Sequence, residues 1–167
     1  MKISNLSNLN KFFVLLFAAV VLLPACTPDE PIDGEEEIDT VRVLIDGQTI
    51  EWKVDDTTNP TITLEAGKSY TVEVQFWNLE ENENVTLEVQ EEDDEHLVCY
   101  EVTGAAMTVT ATDSDGSLPI GLATTWEAAT ASTGTLQLEL RHQPGEKDGT
   151  CTPGDTDILA DFEIVIQ

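Results

Sequence analysis

Tyr70-Thr71-Val72-Glu73-Val74-Gln75-Phe76 decides the fold, because apolar and polar side chains alternate without a break over seven residues. Tyr70, Val72, Val74 and Phe76 share one face and the polar residues the other, the signature of a strand with one side in a core. The same period returns in Thr135 to Arg141, with Leu136, Leu138 and Leu140 inward, in Val85, Leu87 and Val89, and in the closing Phe162, Ile164 and Ile166. Turn dipeptides separate these runs: Asp46-Gly47, Ala66-Gly67, Asp115-Gly116, Pro144-Gly145 and Pro153-Gly154. Threonine and valine are frequent and no helical period persists over a useful length. Eight to ten short strands at such spacing predict an all-β fold, an antiparallel Greek-key β-sandwich of immunoglobulin-like type.

The chain has 167 residues, and the first 25 read as an address rather than as fold. Lys2 and Lys11 precede an apolar run from Phe12 to Leu23, which Pro24 ends too early for a spanning helix of about 20 apolar residues. The run closes on Leu23-Pro24-Ala25-Cys26, a pattern that resembles the bacterial lipobox; this implies a cleaved lipoprotein signal peptide over 1–25 and a lipid on Cys26. An ordinary signal peptide with a chance cysteine is the plainer alternative. Residues 26–38 carry Asp29, Glu30, Asp33 and Glu35 to Glu37 with few apolar groups, so they are expected to form a disordered acidic tether. Thr27 is not the aspartate that retains enterobacterial lipoproteins at the inner membrane. The acidic stretch is similar to the surface-export signal of Bacteroidota lipoproteins. Together they point to the outer membrane, with the cell surface favoured over the periplasmic face. Residues 39–167 are left for a single domain.

Charge excludes whole classes of partner. The formal net charge is -26, and Lys2 and Lys11, two of the seven basic residues, leave with the signal. Arg42, Lys53, Lys68, Arg141 and Lys147 face 33 acidic residues, a surface that repels nucleic acid and anionic headgroups. Cations and basic partners stay open, as does plain solubility in salty surroundings. Once Cys26 is assigned to lipid, Cys99 and Cys151 form an even pair in an oxidising compartment, where a disulfide is the default.

Catalytic motifs are scarce: there is no Gly-x-Ser-x-Gly, no phosphate-binding glycine loop, no His-Glu-x-x-His and no Cys-x-x-Cys. A non-enzymatic role follows as the expectation, with a small hydrolase acting through acidic side chains as a remote alternative. The only two histidines, His96 and His142, each begin or end an expected strand, and a Cys99–Cys151 bridge would draw those strand ends together. With a carboxylate from Asp94, Glu95, Glu146 or Asp148 they would make an open site for zinc or copper. Histidines that merely cap backbone groups at strand ends are the plain reading. Asp113-Ser114-Asp115-Gly116 offers alternate aspartates before a glycine, a pattern that suits calcium, although the later glutamate of an EF-hand loop is missing and an ordinary turn explains it too. The run Glu91, Glu92, Asp93, Asp94, Glu95 reads as a solvated loop.

Two resemblances add to this. Gly67-Lys68-Ser69-Tyr70-Thr71-Val72-Glu73-Val74 is similar to the Gly-x-x-Tyr-x-Val-x-Val stretch of many bacterial immunoglobulin-like and fibronectin-like domains. Leu87 to Tyr100, Thr112 to Gly116, Leu118 to Leu122, Thr133 to Pro144 and Gly154 to Asp157 together resemble a family of small flavobacterial (Bacteroidota) lipoproteins often labelled "type 1 periplasmic binding fold superfamily". That label describes a two-lobed α/β molecule, and no βαβ pattern is present here. The resemblance implies a companion of a TonB-dependent outer-membrane receptor, hence an accessory role in uptake of a metal or small nutrient. A structural or adhesive surface domain without a small ligand is the alternative.

Overall fold

The computed structural model describes residues 37–167. The segments expected to be a signal peptide (1–25), a lipidation site (Cys26) and an acidic tether lie, as far as residue 36, outside the described residues. Nine strands form two sheets packed face to face. One sheet has the order β2-β1-β4-β7-β6, from Gln48–Lys53, Thr40–Ile45, Ser69–Trp77, Ala123–Ala128 and Met107–Ala111. The other has the order β3-β9-β8-β5, from Thr61–Leu64, Asp155–Ile166, Ser132–His142 and His96–Thr103. The chain passes repeatedly from one sheet to the other, and the fold is the all-β sandwich that the alternation implies. One pairing departs from strict antiparallel order: β3 runs parallel to β9.

Alternation becomes packing in β4, where Val72, Val74 and Phe76 are buried and stand opposite Ile45, Val43 and Val41 of β1. Asp46 and Gly47 both have positive φ, 50° and 73°, as a two-residue hairpin needs to match the twist of β1 and β2. Trp126, Phe76 and Phe162 are the largest fully buried side chains, and the Trp126 indole N–H donates to Thr124 Oγ1 at 2.9 Å, so its one polar atom is not orphaned. Ile38 also packs against this core.

The stretch expected to be a strand at Val85, Leu87 and Val89 is instead a short helix, α1 (Thr86–Glu91). Val85 and Val89 are buried while Leu87 is 60% exposed, so the spacing that matters is i,i+4 rather than i,i+2. Thr86 fixes where the helix starts. Its buried Oγ1 accepts the Phe76 N–H at 2.8 Å and donates to the Phe76 carbonyl at 3.2 Å, tying the helix to the end of β4.

Cys99 and Cys151 are joined as a disulfide, with Cα atoms 6.0 Å apart. It fastens the 143–154 loop to β5. Arg141 stitches the same loop from below, its guanidinium donating to the carbonyls of Pro153 and Gly154. Gln143, fully buried, donates to the carbonyls of Thr150 and Pro153.

Candidate metal centre

One end of the sandwich gathers the start of β5, the end of β8, the start of β9, helix α1 and the segment entering β1. There His96 stands directly opposite His142 in the β5/β8 register. Cross-strand partners project from the same face, and the two imidazoles stack with centroids 4.7 Å apart and planes 8° from parallel. The strand register itself therefore brings the histidines together. The disulfide lies three residues further along β5, at Cys99 on the opposite face of the strand, so it is not the cause that the sequence suggested.

The rings look into a cleft of about 240 Å³. Its walls include Glu88 of α1 and Glu92, which caps the C-terminus of α1, and Asp155 and Asp157 of β9, with Val89 and Leu140 as an apolar floor. No lysine or arginine lines it. One oxygen of Glu88, Oε2, is buried with no hydrogen-bond partner, an arrangement that favours a cation in the cleft.

Glu92, His96 and His142 each bring a ligand atom within 4.8 Å of the others. The His96 Nδ1–H donates to the Glu92 backbone carbonyl at 3.1 Å. Around this pair the carboxylates stand at 3.9 Å for Glu92 Oε2 to His96 Nδ1, 3.7 Å for Asp157 Oδ2 to His96 Nε2, and 3.4 Å for Glu95 Oε2 to His142 Nε2. Two imidazoles with several carboxylates and open space form a donor set that suits zinc or copper.

The expected carboxylates are placed as follows. Glu95 is at the site, against His142. Asp94 is exposed and is not among the clustered groups. Glu146 is exposed, and Asp148 is occupied with Thr150, accepting from its N–H at 2.8 Å. Glu92 and Asp157 were not anticipated as ligands. The signal for Glu92 was its position four residues before His96, which the turn between α1 and β5, closed by the His96 N–H to the Glu92 carbonyl at 3.2 Å, converts into proximity. Asp157 had no such signal.

Asp113 and Asp115, the residues of the calcium expectation, are engaged by donors of the loop itself. Asp113 accepts the N–H groups of Gly121 and Ala123 at 2.8 and 3.0 Å. Asp115 Oδ1 accepts those of Ser117 and Leu118, both at 2.8 Å, and Oδ2 pairs with Lys147 Nζ at 3.0 Å. Each of these carboxylate oxygens has a donor, and the Lys147 ammonium already stands against Asp115. The Leu118 N–H first, then Lys147 and the Ser117 N–H, hold the Asp115 carboxyl down to about 2. Tyr100 is likewise structural: burial first, and then the charge of Asp113, push its hydroxyl far above the ordinary tyrosine value, and it donates to the Gly121 carbonyl.

No family model, curated protein or solved structure matches the chain.

Proposed function

We propose that the protein is a non-enzymatic binding module that takes a divalent transition-metal ion, zinc or copper, in the cleft at the His96–His142 end of the sandwich. The observation that carries this reading is the stacked imidazole pair, set by strand register inside a cleft walled by carboxylates and, among the described residues, without lysine or arginine. A neutral imidazole is a strong ligand for these ions, and cross-strand placement brings both rings to one cleft before the ion arrives; because the stacked rings direct their in-plane lone pairs side by side, one ring turns about its side-chain torsions for the two to share an ion. The remaining space leaves the ion accessible for exchange, as a carrier requires and a structural zinc site does not.

The biological setting proposed is a lipid-anchored outer-membrane protein, attached through Cys26 and serving as accessory to a TonB-dependent receptor in metal uptake. The lipobox-like sequence and the family resemblance support that setting. Calorimetry with zinc chloride and copper chloride tests the binding itself. His96→Ala and His142→Ala should each weaken the wild-type affinity by tenfold or more, whereas equal affinity in all three proteins would assign any binding to the diffuse acidic surface. Co-isolation of a TonB-dependent receptor from crosslinked envelopes tests the setting; recovery of surface-polymer components instead would contradict it.

A further inference from the structure

The two imidazoles of the metal centre are held unequally. His96 opens β5 and is pinned twice to one atom: the Glu92 carbonyl accepts its backbone N–H at 3.2 Å and its ring Nδ1–H at 3.1 Å. A carbonyl only accepts, so the proton of the neutral ring sits on Nδ1 and the lone pair stays at Nε2. With the His96 side chain 8% exposed, turning this ring would break a hydrogen bond out of reach of bulk water. His142, the last residue of β8, is held more loosely. Its Nε2 meets the Glu95 carboxylate at 3.4 Å, beyond the usual range of an N–H to oxygen hydrogen bond. The two side chains are 28% and 39% exposed, so water competes for both ends of the contact.

Stacking gives this inequality a consequence. An imidazole binds a metal along its in-plane lone pair, and these rings lie 8° from parallel with centroids 4.7 Å apart. Lone pairs of parallel rings run side by side and do not converge on one tetrahedral ion. One ring has to leave the stack before both can bind. The restraint on His96 and the looseness of His142 select which one.

Resting on the metal reading above, we infer that His96 is the preset ligand, which meets the ion first through Nε2, and that His142 is the closing ligand, which turns out of the stack and away from Glu95 to complete the site. The empty centre is a closed stack, and loading or unloading it requires the movement of one partly exposed ring at a strand end. Rotamer changes of accessible side chains take on the order of nanoseconds or less, so this turn does not slow capture. It governs how firmly the captured ion is kept.

Titration of the full-length chain with zinc chloride tests the order of the ligands. In the wild type, which needs no variant to fold, three-bond couplings report the first side-chain torsion of each histidine and long-range proton–nitrogen correlation spectra report its protonated nitrogen. Zinc should leave the His96 torsion and its Nδ1 proton in place, shift the His96 Nε2 resonance, and change the torsion of His142. Stopped-flow kinetics should divide the two substitutions. His142→Ala should raise the zinc dissociation rate by about tenfold or more and keep the association rate within about threefold, whereas His96→Ala should lower the association rate by about tenfold. Zinc that displaces the His96 Nδ1 proton while His142 keeps its torsion, or equal effects of the two substitutions on both rates, would overturn the order while leaving the metal site in place. Absence of zinc binding by the wild type, or binding that moves neither imidazole, would overturn the metal reading as well, so the two failures are told apart.

Discussion

Asp115 and Lys147 show how a residue pattern and its chemistry come apart. Read along the chain, Asp113-Ser114-Asp115-Gly116 presents oxygens for a cation. In the fold those oxygens organise the loop that leads into β7, and Lys147, with a side chain only 3% exposed, supplies the positive charge. Long-range donors such as Lys147 and the Gly121 N–H leave no local trace, so the sequence could not reveal that the aspartates were already committed. A pH dependence follows. Because the folded Asp115 carboxyl sits at about 2 against an ordinary 3.8, its ionised form contributes stability that is present above about pH 4 and is lost as pH falls from there to 2. Denaturation of wild type and Asp115→Asn between pH 6 and 2 should therefore show a stability gap that is constant at first and then closes. A gap that stays the same to pH 2 would mean that the ion pair contributes nothing. Gly154 belongs to the same scale: its φ is +77° and a Cβ there would lie 2.0 Å from the His142 carbonyl oxygen, so only glycine lets β9 begin beside the histidine pair.

At the scale of elements, the strands were legible and the exceptions to them were not. β4, β8 and the part of β9 from Ile158 on follow the alternation because each has one face in the core; before that, Asp157 is left extra between the Leu140–Ile158 and Arg141–Thr156 pairs as a β-bulge. Helix α1 escaped because six residues are too few for a 3.6 period to separate from a 2 period, and Val85 and Val89 satisfy both. The bulge at Asp157 escaped because an extra residue shifts the pattern without changing composition. These two departures supply Glu92 and Asp157, so the readable part of the site was the histidines and Glu95, and the unreadable part was the other carboxylates around them. The disulfide was legible from compartment and count. It closes a sequence separation of 52 residues, for which a chain-entropy argument gives roughly 4 kcal/mol, less any cost of strain. Replacing both cysteines by serine should lower the unfolding free energy by about 3–4 kcal/mol in urea denaturation, yet leave zinc affinity within a few-fold, because β5/β8 pairing and not the bridge aligns the histidines. Loss of zinc binding in a variant that remains folded would return the bridge to the role the sequence suggested for it.

The whole molecule combines an acidic surface with one cleft that concentrates carboxylates around imidazole. A net charge of -26 draws cations of every kind toward the protein but cannot choose among them; selection falls to the nitrogen ligands. If Cys26 carries lipid, Cys26→Ser should move the protein from the membrane fraction to the soluble fraction, and a variant that is still processed and resists alkaline washing would contradict the lipobox reading. Residues 37 and 38, at the start of the described chain, line the cleft, so on the proposed lipid anchoring the candidate metal centre would lie at the membrane-proximal end of the chain. The claim on which the rest depends is that the ion binds at the imidazoles and not across the acidic surface. Anomalous diffraction at the zinc absorption edge, from crystals grown with zinc, measures this directly. The account predicts a peak about 2.0–2.1 Å from nitrogens of both His96 and His142; peaks confined to surface carboxylates, with the histidine pair bare, would contradict it.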